Sequence, residues 1–181
     1  MIQNNLNISS TIFQYGTSDQ YLLKPINSIT AHPDRFQEIY KSCSIDPIYQ
    51  WLFLKRFPDG YTVENAKEFF FWAQESWKKG THFVYLLTEM NGKIVGSIDI
   101  RSNNLNKAET GYWINSKHKG LATNAMAQIG IIAKSVGYKV LFAQVEKANT
   151  RSIKVLERNN FQRDDTFKTN KDCDWAFKKQ L

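Results

Sequence analysis

The chain has 181 residues, room for one compact domain with its own core but cramped for two. Hydrophobic residues at 42% and charged residues at 23% exclude a disordered chain, and no apolar run nears the roughly 18–20 residues of a membrane helix. The formal charge of +7 favours an anionic partner without choosing among nucleic acid, an acidic membrane and a phosphorylated cofactor.

Residues 1–19 are polar and rich in Asn and Ser. They read as an N-terminal arm or a weakly pinned first strand, and they lack the basic, apolar and small-residue succession of a secretory signal. Residues 21–26 read as a short strand with Pro25 near an edge. Asp34 follows Pro33 and opens a helical stretch in which Phe36, Ile39 and Tyr40 recur at helical spacing. A second short helical piece is expected over residues 48–55. Thr62 is a good N-cap for residues 63–79, whose apolar face carries Val63, Ala66, Phe69, Phe70, Ala73 and Trp77. Gly80 ends that helix after Lys78 and Lys79.

The pattern then changes to strands. Residues 82–88 are a continuous apolar run, Asn91-Gly92 is a two-residue hairpin signal, and residues 93–100 return. Residues 108–115 form a third strand. A helix is expected from Thr123 to Val136, closed by Gly137, then a buried strand over residues 139–145. Asn149 caps a further helix, and Asn160 suits the left-handed position at its end. Two last apolar stretches form a closing antiparallel pair. The unit from Tyr112 to Val145 has the length of a parallel crossover. The predicted fold is α+β, a mixed central sheet with helices on both faces, and residues 20–181 read as a single domain.

Cys43 and Cys173 stand far apart with no CxxC pattern, and His32, His82 and His118 are scattered. No metal site is expected, and the cysteine usage fits a reducing, cytoplasmic setting.

The informative stretch is residues 108–161. A strand ends near Asn115, a basic loop carries Lys117, His118, Lys119 and Gly120, and a helix follows. Such a loop aims main-chain N–H groups outward at the positive end of a helix, which suits a phosphate or pyrophosphate. Gly120 lets the backbone approach an anion closely, and Ala122 is small for the same reason. Neither GxxxxGK[ST] nor GxGxxG is present, so this is not a Walker or dinucleotide loop. Downstream come Asn149-Thr150-Arg151-Ser152 and a helix ending in Asn159-Asn160-Phe161.

Taken together, GYWIN, KHKGLATNAM and NTRSIKVLERNNF resemble the GNAT superfamily of N-acetyltransferases, most closely the Rim-type branch that acetylates the N-termini of ribosomal proteins. The family's acyl-CoA loop, Gln/Arg-x-x-Gly-x-Gly/Ala, stands here as Lys117, His118, Lys119, Gly120, Leu121 and Ala122. Its Asn-x-x-Ser motif stands as Asn149 to Ser152. Lys117 departs from Gln or Arg, His118 stands where a second Gly is common, and Asn159-Asn160 replace Leu-Gly.

The resemblance implies acetyl-CoA as co-substrate and no metal. It places the coenzyme between residues 111–115 and 139–145. Main-chain groups near Trp113 and Ile114 would pair with its pantetheine, the N–H groups from His118 through Leu121 and Ala122 to Thr123 would hold its pyrophosphate, and Asn149 would bind the pantetheine arm. It also supports Glu109, at the start of the central strand and near the splay, as the base, and it brings Tyr49 and Trp51 to the acceptor groove; Ser152, one helical turn past Asn149, has a hydroxyl placed to donate to the departing thiolate. The acceptor would be a primary amine, with a protein N-terminus leading and a small-molecule amine such as an aminoglycoside or polyamine as runner-up. A monomer or homodimer is expected, with no membrane and no nucleic acid as partner. A silent acyl-CoA-binding domain and a basic nucleic-acid module remain as competing readings, the latter without any nucleic-acid motif to support it.

Overall fold

A computed structural model describes residues 2–14, 16–167, 169–170 and 172–181. Among the described residues, eight strands form one sheet in the order β1-β2-β3-β4-β5-β6-β8-β7. The chain opens with a single helical turn, α1 (Ile2–Asn5), then β1 (Ser10–Phe13) and β2 (Gln20–Pro25), which pair antiparallel. Of the two readings open for residues 1–19, the strand is realised in β1. Leu6 and Ile12 are buried in the core, and the Tyr85 hydroxyl donates to the Leu6 carbonyl.

Helix α2 (Pro33–Cys43) starts at Pro33, with His32 as N-cap accepting from the Asp34 N–H at 3.3 Å. A helical turn at Tyr49–Phe53 leads to α3 (Val63–Lys79). Thr62 and Asn65 form a reciprocal capping box at its start, and Gly80 closes it in the left-handed conformation. Strands β3 (Phe83–Glu89) and β4 (Ile94–Ile100) form the expected hairpin around Asn91-Gly92, with Gly92 at φ 89°. Their register slips by one residue: Leu87 faces Gly96 while Thr88 faces Ile94, which leaves Val95 as a bulge.

Strand β5 (Ala108–Ile114) is followed by α4 (Leu121–Val136), β6 (Val140–Val145) and α5 (Thr150–Arg158). Helix α4 begins two residues before the expected Thr123, because Gly120 adopts φ 78° and turns the chain into the helix itself. Asn160 takes the left-handed position after α5 at φ 61°. The short β7 (Gln162–Arg163) and β8 (Trp175–Gln180) close the sheet as an antiparallel pair, β8 lying between β7 and β6.

Neighbouring residues of a strand point to opposite faces. The Trp113 ring packs 6.4 Å from Phe69 of α3, whereas Tyr112 reaches Ser152 of α5. Helices α3 and α5 therefore cover opposite faces of the sheet. The aromatic segment around α3 divides accordingly: Phe70, Trp77, Phe83 and Tyr85 are buried in the core, while Phe71 and Trp72 stay half exposed.

Candidate active site

The site is built on an incomplete strand pairing. Strand β5 runs antiparallel to β4 from Thr110 to Ile114, but pairs with β6 only at Ala108 with Leu141 and Glu109 with Phe142. Beyond Glu109 the two parallel strands diverge, and β6 continues against β8 as far as Val145. The Glu109 carbonyl accepts from Arg101 and the Asn115 N–H donates to Val95, so odd-numbered residues of β5 bond to β4. The alternation turns the main-chain groups of Thr110, Tyr112 and Ile114 toward the wedge. Those of Trp113 face β4, and Trp113 adds its ring to the α3 face instead.

At the wide end of the wedge the chain turns through residues 115–120 into α4. The turn is braced internally. Asn115 accepts from Lys117 through its side chain and from His118 through its carbonyl, while the His118 and Gly120 carbonyls accept from Leu121 and Thr123. The N–H groups of His118, Leu121 and Thr123 are thereby used within the turn. Those of Lys119, Gly120 and Ala122 take no partner among the described residues. Leu121 is buried and anchors the turn from below. His118 does so from the side: its Nδ1 lies 2.8 Å from the Tyr21 hydroxyl, with the rings edge to face. Burial holds the His118 imidazole below its ordinary pKa, so the anchor is a neutral ring. Lys117 and Lys119 are exposed beside the turn. An open strand edge, three available N–H groups at a helix start and two lysines form a cradle for an extended, diphosphate-bearing ligand.

Glu109 stands at the last paired position of β5, on the α3 face. One carboxylate oxygen accepts from Arg101 Nη1 at 2.8 Å and the other from Gln144 Nε2 at 3.3 Å. Arg101 also donates from Nε to Asp99 at 3.1 Å, and Asp99 accepts from His82 at 3.0 Å and from the Gly111 N–H at 2.8 Å. Burial raises the Asp99 pKa, but Arg101, His82 and the Gly111 N–H outweigh it and hold the carboxyl below its usual range. Asp99 in turn holds the Arg101 guanidinium above its ordinary value, against the opposing effect of burial. The Arg101 guanidinium occupies the space where a Cβ on Gly111 would stand, 2.8 Å from its Cζ. The sequence pattern missed His82, Asp99, Arg101 and Gly111 as members of this cluster. A glycine inside a strand is the signal that marks such a close approach.

Asn149 and Ser152 sit at the start of α5, across the wedge from β5. The Asn149 side chain accepts from the Ser152 N–H at 3.1 Å and so caps the helix. The Ser152 hydroxyl lies 3.1 Å from the Tyr112 hydroxyl. Tyr49 donates to the Phe57 carbonyl, and Trp51 lies beside it in the turn before α3. Tyr138 donates to the Ser102 carbonyl and takes a structural place away from the wedge. Among the described residues no group of His, Cys, Asp and Glu is arranged to hold a metal ion, and no helix is long and apolar enough to cross a membrane.

Residues 29–162 match the family model for the acetyltransferase (GNAT) domain. The chain belongs to that family. Its members' fold is shared with several solved structures. RimJ of Mycobacterium smegmatis, in complex with CoA-disulfide, superposes with a TM-score of 0.75 at 16% identity, covering 97% of this chain and 88% of that one. A putative ribosomal-protein-serine acetyltransferase of Vibrio cholerae gives 0.68 at 18% identity over 93% and 98%. The microcin C7 self-immunity acetyltransferase MccE, in complex with acetyl-CoA and AMP, gives 0.70 at 16% identity over 91% and 94%. At these identities the likeness establishes the fold. No curated protein sequence matches the chain. As a member of the GNAT family the protein is an acyltransferase that uses acetyl-CoA.

Proposed function

We propose that this GNAT protein acts on the α-amine of a protein N-terminus, as in the Rim-type branch of the family, through residues 20–181 as one domain. Direct attack of the amine on the thioester is the reaction. The observation that carries the choice of acceptor is the state of Glu109, both of whose oxygens are already engaged by Arg101 and Gln144. So held, Glu109 orients the incoming amine or a bridging water instead of stripping a proton unaided. An α-amine titrates near about 7.7–8.0, so roughly a tenth is neutral at pH 7, whereas a lysine near about 10.4 has well under a thousandth. An acceptor that needs little deprotonation suits this site. Two of the similar structures carry names of the same kind, RimJ and a ribosomal-protein-serine acetyltransferase.

Acetyl-CoA supplies the activated acetyl group. The N–H groups of Lys119, Gly120 and Ala122, with the ammonium groups of Lys117 and Lys119, hold its diphosphate. The main-chain edge at Tyr112 and Ile114 binds the pantetheine as an added strand would, and the Asn149 side-chain amide borders the same path. The Tyr112 and Ile114 N–H groups are also the donors nearest a developing oxyanion. Glu109 on the α3 face and Ser152 on the α5 face flank the wedge, so the amine approaches from one side and the Ser152 hydroxyl meets the charge of the leaving sulfur on the other.

Thiol release from acetyl-CoA against peptides with free and blocked N-termini, polyamines and aminoglycosides tests the proposal. Turnover is expected with free α-amines and not with blocked, lysine-bearing peptides. Preference for a polyamine or aminoglycoside would transfer the assignment to small-molecule amines. Coenzyme binding without release for any amine would make the domain a silent binder. Glu109→Gln is expected to lower kcat by about tenfold or more with coenzyme affinity unchanged. Lost affinity with unaltered turnover would remove Glu109 from the reaction.

A further inference from the structure

The contact between Tyr112 and Ser152 joins the two sides of the wedge. Tyr112 lies on β5 beyond the last position paired with β6, and Ser152 lies in the first turn of the helix that follows β6. Their hydroxyls meet at 3.1 Å. One bond frees the serine hydroxyl from the ordinary duty of a helix-start serine. Its main-chain N–H already donates to Asn149, and the capping is done by Asn149, not by the serine side chain. Burial pushes the Tyr112 phenol up to about 12, while the bond to Ser152 acts the other way, so Tyr112 keeps its proton throughout the neutral range and remains a donor.

We propose that Tyr112 is a positioning residue for Ser152: its O–H donates to Ser152 Oγ and thereby turns the serine hydrogen into the wedge. This rests on the reading of Ser152 as donor to the leaving sulfur. A serine hydroxyl otherwise rotates freely among acceptors. Filling one of its lone pairs fixes the rotor and polarises the remaining O–H, because hydrogen bonds in a chain strengthen one another at low dielectric. Neither hydroxyl gives up its proton. Ser152 alone faces the charge developing on sulfur, which departs as thiolate, and the proton lost from the amine nitrogen leaves to water on the Glu109 side. Tyr112 thus contributes twice from one residue, its main chain bordering the wedge and its side chain aiming the serine on the opposite face from Glu109.

The test compares Tyr112→Phe, Ser152→Ala and the double variant. Tyr112→Phe is expected to lower kcat by about tenfold with the KM for acetyl-CoA within about twofold, the size of one lost hydrogen bond to a charged centre. The double variant is expected to be no slower than Ser152→Ala alone, because the tyrosine acts only through the serine. A second readout needs no turnover. Calorimetric affinity for free coenzyme A, against its desulfo analogue, should rise with pH as the thiol ionises in the native protein. That rise should be abolished in Ser152→Ala and reduced in Tyr112→Phe. Tyr112→3-fluorotyrosine keeps the packing and strengthens the donor, and is expected to hold or raise kcat at pH 7. If Ser152→Ala turns over normally, the reading of Ser152 fails and this inference with it. If Ser152→Ala is slow but Tyr112→Phe is unaltered, or if the two losses multiply, Ser152 stands and Tyr112 is merely packed against it.

Discussion

Replacing Gly111 by alanine puts a methyl group where the Arg101 guanidinium lies. A Cβ at Gly111 would sit 2.8 Å from Arg101 Cζ and 3.4 Å from its Nε, with Nη2 closer still. The backbone can stay, because the obstructing atoms are the far end of a flexible side chain. The guanidinium must then swing out, and it loses Glu109 at 2.8 Å and Asp99 at 3.1 Å. Hydrogen bonds to charged groups contribute about 1.5–3 kcal/mol. The Arg101 side chain is 39% exposed, and water compensates part of the loss, so about 2 kcal/mol is the expected cost. For a chain of this size that lowers Tm by about 4–8 °C. Thermal unfolding followed by circular dichroism measures it, and calorimetry should find coenzyme affinity unchanged, since the Gly111 main chain faces β4. The same substitution in an Arg101→Met background should cost almost nothing. An equal loss in both backgrounds, or none in the native one, would refute the idea that Gly111 is small in order to seat Arg101.

Three other expectations follow from the same geometry. Gly120→Val should weaken coenzyme binding by about tenfold or more, because φ 78° costs an ordinary residue about 1–2 kcal/mol and a β-branched one more; unchanged calorimetric affinity would contradict the cradle. Thr88→Val should raise Tm by about 2–4 °C, because Thr88 Oγ1 is buried at the bulge with no partner among the described residues, and an isosteric methyl removes about 1 kcal/mol of desolvation. Asp99 should make stability fall in acid. Its folded pKa lies below the unfolded value, so its contribution is complete above about pH 4 and disappears as pH drops through the folded value. In denaturant unfolding, the gap between native protein and Asp99→Asn should hold down to about pH 4 and narrow below it; a gap independent of pH would show that the carboxylate's partners do not stabilise its ionised form.

Much of this was legible in the sequence because it depends on local physics. Thr62, Gly80, Asn149 and Asn160 each announced a helix end through backbone preference, and each takes that place. The hairpin at Asn91-Gly92 and the run from β5 to β6 were readable from turn chemistry and hydrophobic spacing. Helix α4 starts two residues ahead of the expected Thr123 because Gly120 takes a positive φ, which the absence of a Cβ permits but does not announce. The cluster around Glu109 was illegible for a different reason. His82, Asp99, Arg101 and Gly111 meet only through cross-strand register, His82 reaching Asp99 from the residue before β3, beyond the bulge at Val95, and Gly111 facing Asp99 from β5. Nothing in the sequence around Tyr112 marks it apart from Trp113. Only the phase of β5, fixed by Arg101 and Asn115 bonding to β4, separates the residue that faces α5 from the one that faces α3.

The wedge itself is encoded away from the strands that form it. Nothing in the backbone chemistry of β5 or β6 forbids further parallel pairing, since neither contains a proline. What differs is the neighbour each strand follows. On one side, the extra residue at Val95 sharpens the twist of β4. Gly96 then lets β5 press onto it: a Cβ there would come within 2.9 Å of the Trp113 carbonyl oxygen and 3.2 Å of Ile114 Cα. On the other side, β6 is held to β8 along its whole length, from Val140 to Val145. Each strand is committed to its outer partner, and past Glu109 the two commitments point in different directions. The open edge at Thr110, Tyr112 and Ile114 is thus the residue of two well-made pairings, and the Val95-Gly96 step opens it as surely as any residue that lines it.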